Sequence, residues 1–99
     1  MYAIYDTMHC KPGKVREMID RFKRLNALAP RMGMPTSRIL TDVSGDPFWS
    51  ITVITEVEHL DDFFGSMEKA FANEEARTLM AGYHDLVVSG ERKIYKVEA

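Results

Sequence analysis

Strand-like and helix-like periodicities follow one another in this chain in the order strand, helix, strand, strand, helix, strand. The series is complete within 99 residues. Apolar residues that alternate in twos mark a strand with two distinct faces, and those that recur every three or four residues mark one face of a helix. A chain with this order has few ways to fold. Its strands must share one sheet, and each helical segment must cross over that sheet to return the chain.

Residues Tyr2 to Cys10 are rich in β-branched and aromatic types and read as strand one. Tyr2, Ile4, Asp6, Met8 and Cys10 share one face, and Ala3, Tyr5, Thr7 and His9 the other. Neither row is cleanly polar, the pattern of a strand covered on both sides. The turn Lys11-Pro12-Gly13-Lys14 follows, with a proline whose fixed φ suits a helix start. Val15, Met18, Ile19, Phe22 and Leu25 then recur at helical spacing, so helix one is expected from about Gly13 to Ala29, ended by Pro30, Gly33 and Pro35. Strand two is expected over Thr36 to Val43 and strand three over Phe48 to Val57, joined as a hairpin by Ser44-Gly45-Asp46-Pro47. A second helix carries the stripe Leu60, Phe63, Phe64, Met67 and Phe71. Asn73 is placed to cap a third helical stretch that carries Ala76, Leu79, Met80 and Tyr83. The last strand runs over Leu86 to Val88 and Arg92 to Val97, with Ser89-Gly90 expected to bend or bulge it.

These elements predict a single α+β domain over residues 1–99, a ferredoxin-like βαββαβ fold with a four-stranded antiparallel sheet. Right-handed crossovers put both helical segments on the same face of that sheet. The other face is left with the row of Trp49, Ile51 and Val53 or the row of Phe48 and Ile54, beside residues of strand one. An apolar face of this extent needs cover, and a symmetric homodimer through the open sheet face supplies it from a second copy.

Composition narrows the function. A formal charge of −2 and mixed charges along the chain argue against nucleic-acid binding and against attachment to a membrane surface. No apolar stretch reaches membrane-spanning length, and the N-terminus opens on a strand pattern and not a signal peptide. The single cysteine, Cys10, allows no internal disulfide, so a reducing, cytoplasmic setting is expected.

Several short segments carry a family resemblance. They are the strand ending in Lys11-Pro12-Gly13-Lys14, the hairpin leading to Phe48-Trp49, the turn Glu58-His59-Leu60-Asp61-Asp62-Phe63, and the ending Val88-Ser89-Gly90-Glu91-Arg92-Lys93-Ile94-Tyr95. Together they resemble the dimeric α/β-barrel superfamily, in particular its antibiotic-biosynthesis-monooxygenase-like and NIPSNAP-like branches. The resemblance implies two sheets closing a barrel across a dimer, with a cleft between sheet and helices in each subunit. The superfamily spans cofactor-free monooxygenases, haem-degrading enzymes and isomerases, so the fold does not carry one activity.

The candidate site residues are Asp6, Tyr83 and His84. Asp6 interrupts the row of Ile4 and Met8; if that row meets the helices, the carboxylate points into the cleft, where desolvation would suit it to accept a proton. Its plainer reading is a buried acid satisfied by a nearby Tyr, Arg or backbone group. Tyr83 and His84, at the end of the third helical stretch, would stand at the cleft mouth, His84 as an acid, base or haem ligand, or simply as a wet residue at a helix C-terminus. In the haem-degrading branch a strand-one asparagine and a helix-two tryptophan accompany the histidine. Here Asp6 stands in the first position and Phe63, Phe64 and Ser66 occupy the second region, so no haem is expected. No metal site is expected either, because His9 and Cys10, as neighbours on a strand, point to opposite faces. His59 reads as a surface residue at the start of helix two, and Trp49 as a core or interface anchor. Met8, Met18, Met67 and Met80 would fill core gaps or line a cleft for a flat apolar ligand. There is no phosphate loop and no nucleophile elbow. Two functions remain: a cleft that binds a small aromatic or hydrophobic molecule, with cofactor-independent monooxygenation as its specific version, or a non-catalytic homodimeric interaction module. The first needs an enclosed space not filled by Phe63, Phe64 and Met67; the second needs that space packed.

Overall fold

The structure, a computed structural model, describes residues 1–44 and 47–99. It is a ferredoxin-like α+β domain. Strands β1 (Tyr2–Cys10), β2 (Arg38–Thr41), β3 (Ser50–Val57) and β4 (Val87–Lys96) form one antiparallel sheet in the order β2-β3-β1-β4. Helices α1 (Val15–Leu28), α2 (Leu60–Ala72) and α3 (Glu74–Met80) connect the strands. Short 3-10 helices at Ala29–Met32 and Tyr83–Asp85 follow α1 and α3.

The element order agrees with the expectation, and the boundaries differ where side chains replace ladder bonds. Strand two shrinks from the expected Thr36–Val43 to four residues. At its start, the Asn26 amide of α1 takes both backbone groups of Ser37, accepting from its N–H at 2.9 Å and donating to its carbonyl at 2.7 Å. At its end, the Asp42 carboxylate accepts the Ser50 N–H at 3.0 Å. Strand three begins at Ser50 and not at Phe48, because Trp49 has φ 69°, the left-handed region. A bulky residue there costs about 1–3 kcal/mol. The turn is held by the Cys10 N–H donating to the Trp49 carbonyl at 2.9 Å and the Ser50 hydroxyl donating to the Pro47 carbonyl at 2.7 Å. The expected hairpin residues Gly45 and Asp46 lie outside the described residues.

In β4, Gly90 sits in the ladder opposite Met8 and does not bend it. The shift comes next, where His9 pairs with Ser89 but Cys10 pairs with Val87, leaving Val88 as the extra residue. The chain after α3 also differs. Gly82, at φ 78°, ends the helical stretch, and Tyr83, His84 and Asp85 form a separate 3-10 turn.

Ile4, Met8 and Cys10 of β1, with Ile51, Val53 and Val57 of β3, face the helices. The open face carries Tyr5, Thr7 and His9 with Thr52, Ile54 and Glu56. It is not the continuous apolar row expected: Thr7 and Thr52 share a hydrogen bond at 3.1 Å, and His9 Nδ1 meets the Ser50 hydroxyl at 3.0 Å. Strict alternation moves Ile51 and Val53 to the covered side and leaves β-branched polar residues outside.

The core is divided. Cys10, Met18, Ile19, Ile51, Val53 and Leu86 form one cluster under α1, and Ile4, Val57 and Phe63 form a second under α2. Only Phe63 of the three expected α2 phenylalanines is buried; Phe64 is half-exposed and Phe71 is 71% exposed.

Candidate functional site

The divide between the two clusters is polar. On the helix-facing side of the sheet, Asp6 stands between Ile4 of one cluster and Met8 of the other. Thr55 interrupts β3 between Val53 and Val57, and Arg92 lies opposite Asp6 on β4. Ser37, just before β2, completes the series through a 2.7 Å bond between its hydroxyl and that of Thr55. A row of polar side chains therefore crosses the sheet where the helices would otherwise pack.

Above this seam lies a cleft of about 930 Å³ between sheet and helices, open to solvent on one side and not the enclosed space expected. Its walls are mostly apolar, with Phe22, Ile39, Met67, Ala70 and Met80 among them. Asp6, Tyr83 and His84, the three residues singled out in the sequence, all line it. Phe63 and Met67 form part of the wall and do not fill the space.

Asp6 is held by Arg92. Nε donates to Oδ1 at 2.5 Å and Nη2 to Oδ2 at 3.2 Å, a bidentate fork that fixes the carboxylate plane. The plainer reading of Asp6, an acid satisfied by a neighbour, thus describes its contacts. The Arg92 guanidinium also lies 4.9 Å from the centre of the Phe63 ring, a cation–π distance. Its third nitrogen, Nη1, meets the Met67 sulfur at 3.6 Å.

Tyr83 and His84 lie with ring centres 4.1 Å apart, the tyrosine half-buried and the histidine exposed. Arg21 of α1 positions this wall: Nη1 donates to the carbonyls of Leu79 at 2.9 Å and Ala81 at 2.5 Å. These carbonyls belong to the end of α3, where the helix leaves them without internal partners.

Arg92 is the site residue the sequence reading missed. Its only signal was a charge on strand four in alternation with Ile94, and its partnership with Asp6 depends on the β1–β4 register across 86 positions. Elsewhere, His9 and Cys10 point to opposite faces, His9 outward and Cys10 into the core. His59 is the exposed residue before α2. Among the described residues no helix is long and apolar enough to cross a membrane.

No protein-family model matches the chain, and no curated protein matches it in sequence. Solved structures do match it in shape. An uncharacterized NIPSNAP-like domain protein from Burkholderia xenovorans superposes with TM-score 0.82 at 17% identity, covering 99% of this chain and 85% of that one. A NIPSNAP family protein from Agrobacterium tumefaciens gives 0.80 at 16% identity, covering 96% and 90%. A candidate antibiotic biosynthesis monooxygenase from Nitrosomonas europaea gives 0.76 at 15% identity, covering 100% of both chains. The chain therefore has the ferredoxin-like fold shared by NIPSNAP and antibiotic-biosynthesis-monooxygenase-like proteins.

Proposed function

We propose that this protein binds a small apolar or aromatic molecule in the cleft between sheet and helices. The observation that carries the reading is the unfilled, mostly apolar cavity of about 930 Å³, large enough for a bicyclic ligand. The alternative, a non-catalytic interaction module, carried the expectation of a packed cleft. The proposed assembly is a homodimer through the open sheet face, where Leu40 and Tyr95 are exposed beside Tyr5 and Ile54. The specific version is cofactor-independent monooxygenation of a phenol-like substrate to a quinone by dissolved oxygen. One oxygen atom forms the new ring carbonyl, the other leaves as water with the ring and hydroxyl hydrogens, and the substrate supplies the four electrons. His84 would accept the substrate proton and Tyr83 would hold the resulting oxyanion, while Asp6, both of whose oxygens are taken by Arg92, would orient the guanidinium and not act as the base.

Naphthalene is a direct probe. Equilibrium dialysis is expected to show saturable binding to the wild-type protein and its loss in Ala70→Trp, which fills the cavity from α2, with circular dichroism unchanged. Absence of binding to the folded wild type, or equal binding to the filled variant, would remove the cleft from consideration. Oxygen uptake with 1-naphthol, lost in His84→Ala while naphthalene binding is kept, distinguishes the catalytic version from binding alone.

A further inference from the structure

We infer that the Asp6–Arg92 pair makes the cleft selective for neutral molecules that carry a carbonyl oxygen, with Arg92 Nη1 as the donor that holds it. The inference rests on the cleft being a binding site and adds which ligands it prefers.

Several polar side chains around the cavity already have protein partners. Asn26 spends its amide on the backbone of Ser37 in both directions. The Ser66 hydroxyl donates to the Asp62 carbonyl at 2.7 Å, and the Ser37 and Thr55 hydroxyls bond each other. Arg92 differs. Two of its nitrogens are committed to Asp6, while Nη1 reaches only a thioether sulfur at 3.6 Å among the described residues. Sulfur of this type is a weak acceptor. A carbonyl oxygen taking its place would give this N–H a charge-assisted bond to oxygen.

Charge then decides which oxygen. The bidentate Asp6 carboxylate already neutralises the guanidinium, so the pair presents a directed donor and almost no net charge. A ligand carboxylate at Nη1 would lie near the Asp6 carboxylate in a partly desolvated space, where like charges repel more strongly than in water. A hydrocarbon avoids that repulsion but leaves Nη1 on sulfur. A ketone, aldehyde, ester or amide gains the bond and meets no repulsion. Arg77 and His84 also line the cavity and are exposed, so water and salt weaken their pull on an anion. Arg92 is itself 36% exposed, but its Asp6 partner, at 25%, is fixed beside it and opposes an anion at that point. The Phe63 ring, 4.9 Å from the guanidinium carbon, adds a cation–π contact to the two bonds from Asp6.

Three naphthalenes of similar size test this on the intact protein by equilibrium dialysis: 2-acetylnaphthalene, 2-ethylnaphthalene and 2-naphthoate. The ketone is expected to bind about ten-fold tighter than the ethyl compound, the scale of one hydrogen bond to a charged group, and the carboxylate weakest. Asp6→Asn uncovers the guanidinium charge, so 2-naphthoate should become the tightest of the three. Equal affinity of ketone and ethyl compound, wild-type preference for 2-naphthoate, or an unchanged order in Asp6→Asn would overturn the selectivity while leaving the cleft a binding site. Failure of all three to bind wild type would remove both readings. The wild-type series needs no variant, so a misfolded Asp6→Asn protein does not shelter the inference.

Discussion

Cys10 ends β1 inside the cluster of Met18, Ile19 and Ile51, and burial pushes its thiol above the ordinary 9.0. In the unfolded chain the same thiol ionises near its ordinary value. Above about pH 9 unfolding therefore releases a proton, and stability falls as pH rises towards the folded-state value; below that window Cys10 contributes no slope. Urea midpoints between pH 8 and pH 10.5 should fall more steeply for wild type than for Cys10→Ala, and parallel slopes would contradict the assignment. Other residues differ in how much of their role could be read from sequence. Asp6 was legible because a carboxylate broke an apolar row on a strand that must be covered. Arg92 was not, because a charge on an edge strand looks like solvent-facing decoration until the ladder puts it beside its partner. The left-handed backbone of Trp49 was also hidden, since composition favours a strand there and only the tertiary hydrogen bonds of Cys10 and Ser50 hold the turn.

Among elements, α3 depends on its first residue. At seven residues it is too short to be stable alone. The Asn73 side chain accepts the Ala76 N–H at 2.9 Å, and Glu74 and Glu75 complement the dipole. Asn73→Ala should cost about 1 kcal/mol by urea unfolding, and amide exchange over residues 76–80 should quicken more than in α1. Equal effects on both helices would show that the cap acts globally. This start was readable because the cap residue and the acidic turn are both local. The end was not: Gly82 turns the chain so that Tyr83 and His84 leave the helix and form a separate wall of the cavity. Likewise the even apolar stripe of α2 did not reveal which of its phenylalanines meets the sheet: Phe63 is buried, Phe71 stands exposed along the cleft, and Phe64 packs edge to face on Phe63.

For the whole molecule, the sequence pattern led to a sheet covered on one side, and the structure has that form. Less apolar surface is left over than expected, because alternation in β3 turns Thr52 and Glu56 outward along with Ile54. A dimer through this face would join an amphipathic surface, with Tyr5 and Tyr95 packed edge to face at 5.4 Å and polar pairs around them. Light scattering should give about twice the 11.3 kDa chain mass for wild type and the single-chain mass for Ile54→Glu, with unchanged circular dichroism. A wild-type protein that stays at one chain mass at micromolar concentration would exclude the assembly. The polar row across the covered face has another consequence. Because it separates two apolar clusters, the side chains that would choose a ligand lie outside both, although Arg92 also touches Phe63 and Met67 of α2. Recognition at residue 6 could then be altered without opening either cluster, which leaves such a scaffold room to change what it binds without changing its shape.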